Sequence, residues 1–198
     1  MPLVLLAVAL AALAPRAEAQ HHPAHAGAPG VAETFVVDGL RLDEADPPPG
    51  SAVGRAGLRF DDGGYVSVVY GKPYARGRLI WGGLVGYGAV WVAGAHRATE
   101  LATTVPLVVG GTRVEPGVYA LFVTPEPGAW TLHVNRAPGM HLADEYDAAL
   151  DVAMATVAPG AAGPPVEALA WAFAPDGSAL SLAWGPLAAR FPIARADR

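Results

Sequence analysis

Three of the chain's 13 cationic residues, Lys72, Arg76 and Arg78, fall within seven positions, beside Tyr70, Tyr74 and Trp81. A guanidinium presents a planar fork of donors that matches carboxylate, phosphate or sulfate, and aromatic rings add stacking faces. Trp91 and His96 follow closely. Tyr70, Lys72, Arg76, Arg78, Trp81, Trp91 and His96 are therefore the expected ligand-binding set, for an anionic small molecule or a glycan. The competing reading is that Arg76 and Arg78 brace a Gly-rich loop by donating to carbonyls or carboxylates.

Metal ligation is the second chemistry. His96 and Glu100 stand four residues apart, and His133 falls on the polar face of an alternating segment. Imidazoles from separate strands can converge on a metal. The main alternative to a binding domain is thus a metal-dependent enzyme using His96 with His133 or Glu100. No H-x-H or H-E-x-x-H occurs, and no acidic residue stands close to His133 in sequence. A separate set lies near the N-terminus. Cleavage after Ala19 would leave Gln20-His21-His22, whose free amine, two amides and imidazole suit square-planar Cu(II) or Ni(II), with His25 as a further ligand. Asp144, Glu145, Asp147 and Asp151 read as a solvated face, since no EF-hand pattern surrounds them.

No residue is assigned a catalytic role. The serines Ser51, Ser67, Ser178 and Ser181 include no G-x-S-x-G elbow, and the chain has no cysteine. No G-x-G-x-x-G or G-x-x-x-x-G-K-[ST] loop supports a nucleotide phosphate cradle. The leading expectation is a non-catalytic ligand- or partner-binding domain. A structural envelope protein is the other alternative.

The elements that must carry these residues read as strands. Gly and Pro punctuate the chain at short intervals, for example Gly63-Gly64, Gly110-Gly111 and Glu115-Pro116-Gly117. Between them lie the strand-length segments 65–70, 100–105, 107–109, 118–124, 130–135, 151–157, 166–173, 179–184 and 187–193. Several alternate: Trp130, Leu132 and Val134 oppose Thr131, His133 and Asn135. Val118–Val123 is apolar on both faces, as a central strand would be. Only Met140–Leu150 suits a helix. The expected fold is all-β, a single β-sandwich or jelly-roll-like domain with at most one short helix.

Residues 1–19 read as a signal peptide: Leu3 to Ala14 is apolar, and Ala17-Glu18-Ala19 is a small-x-small cleavage site. The apolar run is shorter than the ~20 residues a bilayer span requires, so no membrane span is expected after cleavage. The absence of cysteine excludes a lipid-modified anchor, which leaves the periplasm or the exterior as the destination of Sec-type export. Residues 20–54 are expected to be a disordered tail and a Pro-rich linker, with Phe35-Val36-Val37 as a stray strand, and residues 55–195 the domain. The net charge of -5 gives no general attraction to nucleic acid.

Three stretches in combination also carry a family likeness. They are Tyr70-Gly71-Lys72-Pro73 with Arg76-Gly77-Arg78 and Ile80-Trp81-Gly82-Gly83; Val90-Trp91 with Gly94-Ala95 and Ala98-Thr99; and Pro116-Gly117 with Tyr119, Leu121-Phe122 and Trp130-Thr131. Tyr146-Asp147 and Asp151-Val152 follow. Together they resemble the bacterial exported family called domain of unknown function 2911 (DUF2911), over about residues 56–193. The resemblance implies a compact, mostly β domain behind a signal peptide and no established activity. Family members usually carry Trp-Arg-Thr-Gly-Ala-Asn-Glu-Ala-Thr where this chain has Val92, His96 and Arg97 in place of the Arg, Asn and Glu. A role resting on that polar set does not carry over.

Overall fold

The computed structural model describes residues 30–38 and 50–196, which form eleven strands and one 3-10 turn. In chain order these are β1 (Val31–Asp38), β2 (Ala52–Phe60), β3 (Tyr65–Lys72), β4 (Thr99–Thr103), β5 (Leu107–Val109), β6 (Thr112–Val114), β7 (Gly117–Pro125), β8 (Trp130–Asn135), β9 (Asp151–Val157), β10 (Gly160–Phe173) and β11 (Ala179–Arg195). The larger sheet runs β1-β2-β3-β4-β7-β8-β9 and the smaller β10-β11-β5-β6, antiparallel throughout. The all-β, sandwich-like expectation holds. β7 is central, between β4 and β8, and buries Ala120, Leu121, Phe122 and Val123 in succession. No helix among the described residues is long and apolar enough to cross a membrane.

The inner faces of the two sheets share one core. Leu58, Val68, Leu101, Leu121 and Leu132 come from the larger sheet, and Leu169, Trp171, Leu180, Leu182 and Phe191 from the smaller. Each fully buried large apolar side chain contributes roughly 1.5–3 kcal/mol. The alternation expected over 130–135 holds, since Trp130, Leu132 and Val134 all enter this core.

Four expectations need correction. The segment expected to be helical makes only a 3-10 turn at Ala148–Leu150, N-capped by the Asp147 side chain, which accepts from the Ala149 N–H. The segments 179–184 and 187–193 are one strand, β11, which continues through Gly185 at φ 58 and Pro186. The left-handed glycine sits at a register irregularity, beyond which Leu187 and Ala188 still pair with β10, and the end of the strand, Ile193–Arg195, pairs with β5. β2 and β6 were not anticipated as strands. Finally, Phe35-Val36-Val37 is not a stray strand: Val31–Asp38 pairs with Gly54–Phe60 at the edge of the larger sheet, while residues 20–29 and 39–49 of the expected tail and linker lie outside the described residues.

The connection between β3 and β4, residues 73–98, closes one end of the sandwich. Leu169 N donates to Pro73 O and Ala75 N to Glu167 O, which ties the connection to β10. Trp91 bridges Val123 beyond the start of β4. The outer face of the larger sheet carries a second apolar cluster, in which Val92, Ala98 and Met140 lie against Ala120 and Phe122.

Candidate functional site

The structure separates the residues that sequence spacing groups together. Arg78 donates from Nε to Ala75 O at 3.1 Å and from Nη2 to Tyr74 O at 2.6 Å, so it braces its own loop. Arg76 donates its backbone N–H to Glu167 Oε1 at 2.8 Å, and its Nη2 to Gly50 O at 3.3 Å. Trp81 is buried, and its Nε1 donates to Trp184 O at 3.0 Å. Its ring lies 4.0 Å from that of Trp130, and Trp91 stacks on Trp184 at 6.0 Å. Trp81 and Trp91 therefore plug the core. Neither Arg76, Arg78, Trp81, Trp91 nor Lys72 lines the cavity that the remaining two residues, Tyr70 and His96, share.

That cavity, of about 310 Å³, opens on the outer face of the larger sheet. Ser51, with Ala52 and Val53 from the start of β2, forms one wall, and Val69, Tyr70 and Gly71 from β3 the floor. Ala95, His96, Arg97 and Ala98 form the opposite wall, with Glu100 of β4 at its foot. His96 is held at φ 67 and Ala93 at φ 53, both left-handed without being glycine. Ala93 is fixed there because its carbonyl accepts from Thr99 Oγ1 and from Trp171 Nε1, each at 2.9 Å. Gly71 makes the close approach possible, since a Cβ there would overlap the Ala95 carbonyl oxygen.

A second constellation lies on the same outer face, beyond the Val92–Met140 cluster. His133 Nδ1 is 2.9 Å from Asp151 Oδ2, and Thr124 Oγ1 is 2.9 Å from His133 Nε2. Asn135 Nδ2 donates to Asp151 Oδ1 at 2.8 Å, and the Tyr146 hydroxyl donates to Asp151 Oδ2 at 2.5 Å. The Tyr146 oxygen also lies 3.2 Å from His133 Nδ1. The His133 and Asp151 side chains are 12% and 7% exposed. Burial, the hydrogen bond to Asp151 and the charges of Asp151 and Asp147 push the Tyr146 hydroxyl well above the ordinary tyrosine range.

The strands explain this convergence. His133 and Asn135 project to the same face of β8, and Asn135 pairs with Asp151 across a register shift at the start of β9. Thr124 sits diagonally opposite on β7, in register with Thr131, which is in turn opposite Thr156.

The family model described as "Protein of unknown function (DUF2911)" matches residues 57–193, well over half of the chain. The chain belongs to this family. No curated protein and no solved structure matches it. The DUF2911 match runs from β2 to β11 and so contains the hydroxyl–imidazole–carboxylate cluster and all of the cavity except its Ser51–Val53 wall. β1 and the start of β2 lie outside it.

The expected metal sites fare differently. His96 and Glu100 share the cavity, whereas His133 belongs to the other cluster. Among the described residues no group of three or more His, Cys, Asp or Glu is placed to hold a metal. His21, His22 and His25, with the expected Cu(II) or Ni(II) set, lie outside the described residues. The carboxylate partner of His133 escaped the sequence reading because it stands 18 residues away. Its signal was available: a polar-facing histidine near the end of one strand and an aspartate opening the next.

Proposed function

We propose that this DUF2911 domain binds a ligand in the bacterial envelope, and that the ligand occupies the cavity between His96 and Glu100. One observation carries the reading: a non-glycine residue, His96, is held left-handed at the wall of a cavity that also collects Glu100 and Arg97. Such strained residues concentrate at ligand clamps and active sites. The volume suits a small molecule. Ala52, Val53, Val69, Ala95 and Ala98 offer apolar contact, while Ser51, His96, Arg97 and Glu100 offer both donors and acceptors.

That mixture modifies the expected ligand. Glu100 disfavours a purely anionic molecule, so a small sugar or a zwitterion fits better than an acidic glycan. The metal-dependent alternative has only two donors in the cavity, whereas catalytic zinc takes three protein ligands. The envelope location rests on Leu3–Ala14 and Ala17-Glu18-Ala19.

Thermal-shift screening of the mature chain against small neutral sugars, sugar acids and zwitterionic amino acids tests the binding reading. A midpoint rise that disappears in folded His96→Ala and Glu100→Gln variants is expected. No shift from any class, or a shift that both variants retain, overturns it. N-terminal sequencing of the expressed protein should begin at Gln20; an intact Met1 in the cytoplasmic fraction would refute export.

A further inference from the structure

The relay beyond the cavity goes further than ligand binding. We infer that Thr124, His133 and Asp151 form an acyl-transfer site in which the Thr124 hydroxyl is the nucleophile toward esters of short acyl groups. The geometry fixes the proton positions. An ionised carboxylate only accepts, so the 2.9 Å contact with Asp151 puts the imidazole proton on His133 Nδ1. The Nε2 lone pair then faces Thr124 Oγ1 at 2.9 Å, and the hydroxyl donates to it. This is the arrangement of an activated hydroxyl: nucleophile, base and orienting carboxylate in line.

Two further contacts hold the carboxylate still. Asn135 Nδ2 occupies Oδ1 and the Tyr146 hydroxyl occupies Oδ2, so Asp151 cannot rotate away from the imidazole. A paired charge this enclosed is weak evidence for stability, since an apolar replacement commonly serves as well. The reactive end, unlike the carboxylate, is partly open. Thr124 is half-buried, and the face beside it carries the Thr131–Thr156 hydroxyl pair and Met154, which is 54% exposed.

The step balances without a further reactant. Thr124 Oγ1 bonds to the ester carbonyl carbon as its proton passes to His133 Nε2. The bond from that carbon to the leaving oxygen breaks, and the leaving alcohol takes the proton from Nε2. Water then attacks the acyl-Thr124 ester and gives a proton to Nε2. That proton returns to Thr124 Oγ1 as the carboxylic acid departs.

The test uses p-nitrophenyl acetate with the whole mature chain. The expected result is a burst of p-nitrophenolate and one acetyl group on the peptide containing Thr124. Thr124→Ser retains the burst, Thr124→Val abolishes it, and His133→Gln slows acylation about 100-fold or more. Thr124→Val is nearly isosteric, and an unchanged melting midpoint would verify its fold. Acetyl mapped to any other residue, or equal rates for wild type and Thr124→Val, overturns the assignment. Neither Thr124 nor His133 lines the His96 cavity, so failure here leaves the binding result unaffected.

Discussion

Removing the Asp151 carboxylate should be the most damaging single polar substitution on the outer face. Asp151 accepts from His133 Nδ1, Tyr146 Oη and Asn135 Nδ2 at 2.9, 2.5 and 2.8 Å. Asp151→Ala strands all three donors. A buried donor without an acceptor costs about 1–3 kcal/mol, and partial access to water puts these near the low end, so the sum is about 3–5 kcal/mol. Tyr146→Phe removes one donor and leaves the carboxylate two partners, and should cost about 1 kcal/mol. Asp151→Asn keeps the shape but faces Tyr146 and His133 with an amide. His133 then has to place its proton on Nε2, which reverses the polarity toward Thr124 at a stability cost of about 1–2 kcal/mol. Urea unfolding at constant m-value measures all three. If Asp151→Ala lies within about 1 kcal/mol of wild type, or costs no more than Tyr146→Phe, the claim that the carboxylate organises the cluster is wrong.

The remaining predictions concern the cavity, the core and alkaline pH. Gly71→Ala must displace the 94–98 wall, because its Cβ meets the Ala95 backbone; it should cost about 1–3 kcal/mol, and NMR shifts should move at Ala95–Ala98 and stay fixed at His133. Trp81→Phe should cost roughly 1 kcal/mol more than Trp130→Phe by thermal or urea unfolding, since Trp81 Nε1 donates to Trp184 O whereas Trp130 Nε1 is buried without a partner. The raised Tyr146 ionisation is fully stabilising below the unfolded tyrosine value, roughly pH 10, and is lost as pH climbs toward the folded value. Wild type should therefore lose stability above about pH 10 more steeply than Tyr146→Phe; parallel curves would remove Tyr146 as the cause.

The fold was legible where a segment has one simple environment. Val118–Val123 is apolar on both faces because β7 is covered on both, by the smaller sheet on one side and by Val92 and Met140 on the other. The alternation of 130–135 followed from one face in the core and one outside. β2 escaped notice because Gly54 and Gly57 interrupt its pattern, although Ala56, Leu58 and Phe60 face inward. β11 looked like two strands because Gly185-Pro186 is an ordinary turn signal, yet here it marks a register irregularity within one strand. The site was less legible. Seven residues close in sequence suggest one site, but a long connection that must also close the core uses Arg78 on its own carbonyls, Arg76 on Gly50 O and its tryptophans on packing.

The two sites are joined by what lies between them. Ala98 N donates to Met140 O at 3.0 Å, so the cavity wall and the connection leading to Tyr146 meet over Phe122. Tyr146 packs against the same phenylalanine with ring centroids 5.0 Å apart. A sheet face left to water would carry polar residues in this row, yet Ala120 and Phe122 are fully buried there. The apolar island therefore exists to seat the two connections, and the seating sets His96 over the cavity on one side and Tyr146 against Asp151 on the other. Val92, His96 and Arg97 divide between the island and the cavity: Val92 belongs to the apolar island, while His96 and Arg97 line the cavity.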